Sequence, residues 1–184
     1  MSSMIEIVNL LDTRGTSFLS LLFPHNRFFD HLFAFFSLDG ISFYLWIFVT
    51  LCFLVWKIKD YKKIIFYFLI SFSLTWILVN SIIKNVVRRD RPWIAQNLDI
   101  TICPNDFSFP SGHASSAFAG ASIFASFDKK RRIFYYVIAI IISYSRIYLS
   151  CHYLMDVTIG ALIGYLISRA TVIYIPYRVK PFKL

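Results

Sequence analysis

The residue types best suited to chemistry lie in the last third of the sequence, where Asp156 follows His152 by four positions. Residues four apart share one face of a helix, so we expect the Asp156 carboxylate to accept a hydrogen bond from one imidazole nitrogen of His152. That bond fixes the tautomer and leaves the other nitrogen's lone pair free to attack phosphorus. On their own, the two residues fit a satisfied polar pair in an apolar bundle equally well, so other signals must decide.

Three basic residues accompany this pair at membrane depth, namely Lys84, Arg91 and Arg146. Ionisable groups are expensive in such a setting and therefore indicate a site. Three positive charges are enough to hold a phosphoryl group and to offset the charge that develops on its oxygens during transfer. Arginine can also bind two of those oxygens at once. The sequence therefore predicts an anion site that needs neither a metal nor another cofactor.

The segment from Pro110 to His113 predicts the start of a helix. Ser111 is a good N-cap residue, and Gly112 exposes its backbone N–H group without a side chain in the way. Unpaired N–H groups at a helix N-terminus bind anions, so we expect these residues to donate hydrogen bonds to the phosphate. His113 follows directly and is placed to give a proton to the leaving oxygen.

Together the three clusters resemble the signature K-x6-R-P, P-S-G-H and S-R-x5-H-x3-D of the type 2 phosphatidic acid phosphatase superfamily, which also contains soluble vanadium haloperoxidases. All eleven specified positions match in order, over about 40% of the chain. The resemblance implies a helical membrane core and a covalent phosphohistidine mechanism. The roles it implies are phosphate ligands at Lys84, Arg91, Ser111, Gly112 and Arg146, an acid at His113, a nucleophile at His152 and its partner at Asp156.

Composition indicates a bilayer as the solvent. Of 184 residues, 58% are hydrophobic and only 16% are charged, whereas soluble domains carry about 25% charged residues. The formal charge of +9 is therefore interpreted through its placement relative to the membrane and not as a sign of nucleic-acid binding.

We predict an all-α, polytopic membrane bundle of about five transmembrane helices. The first two spans are the charge-free runs Gly40–Trp56 and Ile64–Ile83. The other three are predicted at Gly112–Phe127, Ile133–Leu149 and His152–Thr171.

Residues 1–39 are expected to form an N-terminal segment apart from a phosphatase domain at residues 40–184. Their apolar stretches Ile5–Leu11, Phe18–Phe23 and Phe28–Phe36 are each too short to cross about 30 Å of hydrocarbon. We interpret them as amphipathic helices at the membrane interface. A full span from Thr16 to Phe36 is the alternative, and Pro24 argues against it.

Basic residues predict the orientation. One side of the five-span topology collects twelve of the nineteen basic residues, including those at 57, 59, 62, 63, 129–132, 169, 178, 180 and 183. By the positive-inside rule that side is cytoplasmic, which places the site at the extracytoplasmic face of a cell membrane.

Several residues near the motifs keep open roles. The spacing leaves open whether Cys103 and Cys151 form a disulfide, and whether Asp106 modulates His113 or caps its loop. Arg88 and Arg89 are interpreted as solvated interfacial residues, and Trp93 and Tyr153 as aromatic belt residues. Small residues predict tightly packed faces on two spans, at positions 112, 116 and 120 and at positions 160 and 164.

These observations leave three hypotheses from different classes. The first is a lipid phosphatase acting on a lipid phosphate or diphosphate. The resemblance implies undecaprenyl diphosphate, on which short bacterial members of the family often act, with phosphatidylglycerophosphate and the 1-phosphate of lipid A as alternatives. The second is a transporter that binds anions without chemistry, although such a site gains nothing from an acid and a nucleophile on opposite sides of a phosphate. The third is a metal site built from His113, His152 and Asp156, which the three nearby cations disfavour. Oligomeric state is left open.

Overall fold

The computed structural model describes residues 2–55, 60–95 and 103–177 of the chain, and these residues are helical or in turns. The helices are α1 (Ser2–Ser20), α2 (Arg27–Phe36), α3 (Ile41–Val55), α4 (Tyr61–Trp76), α5 (Lys84–Val87), α6 (Pro92–Ala95), α7 (Gly112–Phe127), α8 (Arg132–Tyr148) and α9 (Leu154–Tyr174). A π-helical segment, Ile77–Ile83, joins α4 to α5, and a short 3₁₀ turn, Lys129–Arg131, precedes α8.

Helix α7 is the centre of the bundle and packs against α3, α4, α8 and α9. Its sequence is rich in alanine, serine and glycine, and Ala114, Ala117 and Ala121 are completely buried. Such small side chains let neighbouring helices approach closely in a membrane protein. Larger side chains fill the half of the bundle that is predicted to face the cytoplasm. There the Trp46 ring stacks on Phe124 at a centroid distance of 5.2 Å.

Two glycines confirm the predicted tight face on α9. A Cβ atom added at Gly160 would lie 2.6 Å from the Ser111 carbonyl oxygen, and one at Gly164 would run into the Ser115 carbonyl. The backbones of α7 and α9 are therefore in direct contact. On the other side of α7, Gly120 leaves room for the Trp46 indole of α3.

The predicted membrane spans coincide with helices, but their number stays a prediction. Within the described residues, the continuous stretch Tyr61–Ile94 and helix Leu154–Tyr174 are long and apolar enough to cross a membrane. A third span results if the pair Arg27–Phe36 and Ile41–Cys52, bent by 76°, counts as one. Helices α7 and α8 coincide with predicted spans but contain only 16 and 17 residues.

Three short helices were expected in the N-terminal segment, one for each apolar stretch. The segment forms two helices instead, and both contact the bundle. Helix α1 is continuous over 19 residues and packs against α8 and α9. Helix α2 packs against α8, and its N-cap Asn26 accepts a hydrogen bond from Phe29 N. The division of the chain at residue 39 stays a prediction, although these contacts tie both parts together.

The described part of the predicted basic cluster lies at the end of the bundle opposite the motif residues, where α4 begins and α7 ends. Lys63 at the start of α4 lies over the ring of Phe127, at the end of α7. Arg169, near the end of α9, donates to Ser126 Oγ. The predicted basic cluster also includes residues 57, 59, 178, 180 and 183, which lie outside the described residues.

Candidate active site

A cavity of about 390 Å³ opens at the end of the bundle where α5 ends and α7 begins. Five of the eight predicted site residues line it: Lys84, Arg91, Gly112, His113 and His152. Residues up to 68 positions apart along the chain thus share one space, because α7 runs antiparallel to both α4 and α8. The two predicted imidazoles face the same cavity.

The π-helical segment shapes one wall of this cavity. Phe72, Trp76, Asn80 and Lys84 recur every four residues and all line the cavity. Residues at this spacing lie on one helix face, so these four side chains form a single stripe. Its two aromatic rings lie farthest from the motif residues along the helix, the amide follows, and the charged Lys84 is itself a motif residue. Phe43 of α3 also lines the cavity and packs against Phe72, with ring centroids 5.2 Å apart.

Lys84 and Arg91 are held together by a carboxylate from the loop before α7. Asp106 forms ion pairs with both Lys84 Nζ and Arg91 Nη2, and its backbone carbonyl accepts from Arg91 Nε at 2.8 Å. The two cations are buried, whereas the Asp106 side chain is 47% exposed at the cavity. Asp106 therefore occupies the cations that were predicted to bind phosphate, which resolves its open role.

His152 is 1% exposed and lies in the turn between α8 and α9. Its Nε2 is 3.0 Å from Arg91 Nη1. A guanidinium can only donate, so Nε2 must accept and Nδ1 must carry the hydrogen. The tautomer predicted for a nucleophile is therefore the one that the site favours, and Arg91 covers its lone pair.

The predicted direct hydrogen bond between His152 and Asp156 is wrong. Their Nδ1 and Oδ2 atoms are 3.5 Å apart, which is too long for a hydrogen bond. Helix α9 begins at Leu154, so His152 precedes the helix and does not share a helical face with Asp156. Ser108 fills the gap, because its hydroxyl lies 3.3 Å from His152 Nδ1 and donates to Asp156 Oδ2.

Asp156 is completely buried, and each of its carboxylate oxygens has a partner. Oδ2 accepts from Tyr153 N at 2.9 Å as well as from Ser108. Oδ1 accepts from Arg89 Nη1 at 2.7 Å. These bonds fix the carboxylate close to the imidazole that it was predicted to orient.

The N-terminus of α7 is built as the sequence predicts. Ser111 is the N-cap, and its hydroxyl accepts from Ala114 N at 3.4 Å. The Ser111 backbone N–H is not free for an anion, because it donates to the Asp156 carbonyl at 2.9 Å. His113 Nε2 lies 3.1 Å from the Leu38 carbonyl, so that nitrogen carries the hydrogen.

Arg146 lies behind the cavity wall. Its Nη1 donates to the Ser37 carbonyl at 2.8 Å and to the Ser37 hydroxyl. Within the described part of the chain, its Nε and Nη2 have no hydrogen-bond partner although both are buried. A buried guanidinium with two unused donors is suited to an anion, but in this structure Arg146 is set back from the other two cations.

Arg89 corrects the interpretation of the basic run before α6. It was expected to be solvated, but its guanidinium binds Asp156 and, at 2.6 Å, the buried Asp12 Oδ2 of α1. Tyr153 was expected in an aromatic belt, but it is buried and its ring lies 3.9 Å from Arg89 Cζ. Arg88 is exposed, as expected, and donates only locally, to the Asn85 carbonyl.

Cys103 and Cys151 form a disulfide with a Cα–Cα distance of 5.4 Å. Cys103 begins the described part of the loop that carries Asp106 and Ser108, and Cys151 directly precedes His152. The Cys151 carbonyl also accepts from Arg91 Nη1 at 2.8 Å. The disulfide therefore links the two segments that surround His152.

Charges around the site act on two groups that lie outside the helices. Burial, followed by the positive charges of Arg91, Arg146 and Lys84, lowers the pKa of His152 well below its usual value, which keeps the imidazole neutral at pH 7. Burial alone would raise the pKa of the Asp106 carboxyl group. Its bonds to Lys84 and Arg91 outweigh burial and lower that pKa. Asp106 therefore stays ionised at neutral pH.

The arrangement can stabilise, attack and protonate an anion. A neutral imidazole with Nδ1–H held by a hydroxyl and a carboxylate is a nucleophile. Lys84 and Arg91 can neutralise a bound anion, and His113 offers a proton on the other side. The three side chains weighed as a metal site do not form a group that could hold a metal ion, as far as the described residues go.

Four contributors were not assigned from the sequence: Asp12, Arg89, Asp106 and Ser108. Asp106 and Arg89 were singled out without an assigned role, whereas Asp12 and Ser108 were not considered for the site. The sequence does not reveal their buried partners, because each of the four contacts a residue at least 15 positions away.

Comparison with known proteins identifies the family. The PAP2 superfamily model matches residues 63–180, which is well over half of the chain. The chain is 34% identical over 132 residues to the undecaprenyl-diphosphatase of Sulfolobus acidocaldarius, a match that covers 70% of this chain and 63% of that protein. It is 28% identical over 173 residues to the lipid A 4′-phosphatase of Bacteroides thetaiotaomicron, covering 88% and 75% of the two chains.

Solved structures of membrane proteins share the fold. The crystal structure of Aquifex aeolicus LpxE aligns with a TM-score of 0.69 and 25% identity, covering 89% of this chain and 96% of that one. The PAP2-type phosphatidylglycerolphosphate phosphatase from Bacillus subtilis aligns with a TM-score of 0.66 and 21% identity, covering 90% and 85%. The bundle, its apolar helices and these neighbours together show a helical membrane protein. Because the family model extends over every motif that lines the cavity, this chain belongs to the PAP2 superfamily.

Proposed function

We propose that this chain is an integral membrane lipid phosphatase that hydrolyses a lipid phosphate or diphosphate through a phosphohistidine intermediate, without a metal. The observation that carries the proposal is the environment of His152. Its Nε2 faces Arg91 and the cavity, while Nδ1 faces Ser108 and Asp156. The nucleophilic lone pair and the phosphate-binding cation are therefore adjacent.

In the proposed first step, the substrate phosphate replaces the Asp106 carboxylate on Lys84 and Arg91. Moving Arg91 onto phosphate oxygens releases the Nε2 lone pair of His152. Nε2 then forms a bond to phosphorus as the bond from phosphorus to the leaving oxygen breaks. Positive charge develops on the imidazole, and the Asp156 carboxylate stabilises it through Ser108.

His113 supplies the proton. In this proposal the imidazolium form of His113 protonates the leaving oxygen and becomes neutral. In the second step the neutral imidazole accepts a proton from the water that attacks phosphorus, as the bond from phosphorus to His152 Nε2 breaks. The hydrogen on Nε2, now donated to the Leu38 carbonyl, is the one available to the leaving group. A small movement of the imidazole away from Leu38 would deliver it into the cavity.

The stripe from Phe72 to Lys84 supports a lipid as substrate. An apolar tail could lie against Phe43, Phe72 and Trp76 while its phosphate reaches Lys84, because the aromatic and charged side chains line one cavity. A substrate with a single polyprenyl tail attached directly to a diphosphate fits this arrangement, because the aromatic and charged side chains lie close together along the cavity. We therefore propose undecaprenyl diphosphate as the substrate, in agreement with the activity for which the Sulfolobus relative is named.

Other lipid phosphates are the alternatives. Relatives include a lipid A 4′-phosphatase and, at 32% identity over 101 residues and 48% of its length, the phosphatidylglycerophosphatase B of Bacillus subtilis. Both substrates carry a bulkier polar group between the phosphate and the tails. A panel of undecaprenyl diphosphate, phosphatidylglycerophosphate and lipid A phosphates tests the choice, and we expect the highest kcat/KM for the first.

We further propose that five spans cross a cell membrane and that the site faces the extracytoplasmic side. The basic residues at the opposite end of the bundle support this orientation. The disulfide beside His152 also supports it, because disulfides persist in oxidising compartments. Cysteine-accessibility labelling of intact cells at Asp90→Cys and Lys130→Cys would test it, with only the former expected to react with an impermeant reagent.

Phosphate release by the purified protein in detergent tests the activity. We expect turnover in EDTA, inhibition by vanadate, and loss of turnover in His152→Ala. His31→Ala is a matched control, because His31 is an exposed histidine that bonds only to the Arg27 carbonyl. Full activity in His152→Ala would remove the mechanism.

The same protein distinguishes the non-catalytic alternative. An anion-binding transporter would bind vanadate or phosphate and release no phosphate from any lipid of the panel. Binding without turnover in the unmodified protein would therefore favour transport over hydrolysis.

A further inference from the structure

A second group of charged residues lies behind the nucleophile, away from the cavity. Arg89 bridges two carboxylates, with Nη1 at 2.7 Å from Asp156 Oδ1 and Nη2 at 2.6 Å from Asp12 Oδ2. Both carboxylate side chains are completely buried, and Arg89 itself is only 23% exposed. Asp12 lies on α1, which carries none of the motif residues.

Helix α1 also closes the N-terminal end of α9. Asp12 Oδ1 accepts from Met155 N at 2.8 Å, and Thr16 Oγ1 accepts from Leu154 N at 2.8 Å. The first N–H groups of a helix lack partners within the helix, and here another helix supplies them. Because Asp156 belongs to the same first turn, α1 fixes the backbone from which that carboxylate projects.

The position of Arg89 is determined from several sides. Its guanidinium lies on the Tyr153 ring at 3.9 Å, and its carbonyl accepts from Ser108 N at 2.7 Å. Ser108 is the residue whose hydroxyl joins His152 to Asp156. Arg89 therefore contacts the carboxylate directly and the bridging serine through the backbone.

We propose that Arg89 and Asp12 are positioning residues for the nucleophile, acting through Asp156, and that α1 is thereby part of the catalytic apparatus. This inference rests on the proposed phosphatase function. Arg89 fixes the orientation of the Asp156 carboxylate and offsets part of its charge. Asp12 fixes Arg89 and sets how much of the arginine charge is available to Asp156.

The pH dependence of kcat after removal of each charge separates this role from simple packing. Removing the Arg89 charge leaves Asp156 uncompensated, which favours protonated His152 and shifts the acid limb of the kcat profile to higher pH. Removing the Asp12 charge leaves Arg89 to Asp156 alone, which shifts that limb to lower pH. The other charged or titratable groups around His152 are unchanged in both variants, and they are Lys84, Arg91, Asp106, His113 and Arg146.

The experiment compares Arg89→Gln, Arg89→Lys and Asp12→Asn with two controls. Arg88→Gln and Arg14→Gln each remove one exposed arginine, from the same basic run and from the same helix. We expect kcat to fall about 10- to 100-fold in Arg89→Gln, as when a residue that orients a ligand is removed, with KM within twofold because Lys84 and Arg91 are untouched. Arg89→Lys should recover part of kcat, and both controls should stay within twofold of the unmodified protein.

Asp12→Asn keeps the inference testable where Arg89→Gln does not fold. Asparagine has the same shape as aspartate, and its oxygen can still accept from Met155 N. Melting temperature in detergent identifies an unfolded variant. Unchanged kcat in Asp12→Asn, or acid limbs that move in the same direction in Asp12→Asn and Arg89→Gln, would overturn the inference.

An NMR titration of ¹⁵N-labelled histidine separates this inference from the proposed function. It measures the pKa of His152 in the unmodified protein and in each variant without any turnover. An unmodified protein that releases no phosphate would refute the phosphatase proposal. Opposite pKa shifts in the two variants would still support the positioning role, and equal values in all proteins would refute it.

Discussion

Arg91 Nη1 donates to His152 Nε2 across 3.0 Å, so the residue that was predicted to hold phosphate also covers the lone pair that was predicted to attack it. The same guanidinium binds Asp106 and the Cys151 carbonyl. In the proposed mechanism, Arg91 therefore has to leave the His152 lone pair as it binds the phosphate. Binding of the anion and exposure of the proposed nucleophile would then be one event.

Substitution of Arg91 tests this link. We expect Arg91→Gln to lower kcat/KM about 10²- to 10³-fold, the range for loss of one donor to a developing anion. Arg91→Lys keeps the charge but loses the planar fork, so its activity should lie between those of Arg91→Gln and the unmodified protein. Steady-state kinetics on one lipid substrate provide the measurement, and equal activity of Arg91→Gln and Arg91→Lys would contradict the importance of the fork.

Asp106 competes with the substrate for Lys84 and Arg91, so its neutralisation should improve binding. We expect Asp106→Asn to lower KM and the inhibition constant of inorganic phosphate, each about 3- to 10-fold, which corresponds to about 0.6–1.4 kcal/mol. Because the pKa of Asp106 is lowered by these two cations, the unmodified carboxylate is ionised from pH 5 to 9. The effect should therefore be constant over that range.

Asp90→Asn is the control for this prediction, because Asp90 is an exposed carboxylate in the same stretch of the chain. An increase in KM in Asp106→Asn would contradict the competition and would mean that Asp106 arranges the cations for the substrate.

His113 and His152 should respond differently to the leaving group. A proton donor matters most when the leaving oxygen is a poor leaving group, as an alkoxide is. We expect His113→Ala to lose about 10²- to 10⁴-fold activity on an alkyl phosphate and less than tenfold on p-nitrophenyl phosphate. His152→Ala should be inactive on both substrates, and equal losses in His113→Ala would contradict its role as acid.

The contact between α7 and α9 predicts a cost for a single methyl group. A Cβ at Gly160 would lie 2.6 Å from the Ser111 carbonyl, where the backbone cannot yield easily. We expect Gly160→Ala to destabilise the protein by about 1–3 kcal/mol and to reduce turnover, because Ser111 N bonds to the Asp156 carbonyl. Leu162→Ala, at an exposed position of the same helix, should change the melting temperature much less.

Reduction of the disulfide should lower activity. Without the bond between Cys103 and Cys151, the loop that carries Asp106 and Ser108 is attached to the nucleophile only by hydrogen bonds. We expect dithiothreitol and Cys103→Ser each to lower kcat about tenfold, by analogy with loss of groups that orient a ligand. Cys52→Ser removes a free cysteine and should keep both full activity and sensitivity to dithiothreitol.

Local signals in the sequence predicted much of the bundle. The charge-free run Gly40–Trp56 contains α3, and the bounds predicted for the third span coincide with those of α7. The N-cap at Ser111 and the glycines of α9 were also predicted correctly, because each depends on residues within one or two turns. Five of the eight predicted site residues line one cavity, whereas Ser111, Arg146 and Asp156 do not line it.

Pairings across long sequence separations were not predictable. Arg88 and Arg89 are chemically identical neighbours, and only the fold decides that one is exposed while the other lies between Asp12 and Asp156. Periodicity likewise placed His152 and Asp156 on one helix, because nothing local marks Leu154 as the helix start. The resulting gap is where Ser108 bonds.

The first backbone N–H groups of α9 donate to the Thr16 and Asp12 side chains of α1, and these hydrogen bonds connect two helices that are far apart in the sequence. Ribosomes synthesise α1 before α9, so these bonds form only after the chain has been made beyond Met155. The folding of this part of the site therefore waits for contact between two helices that are far apart in the sequence.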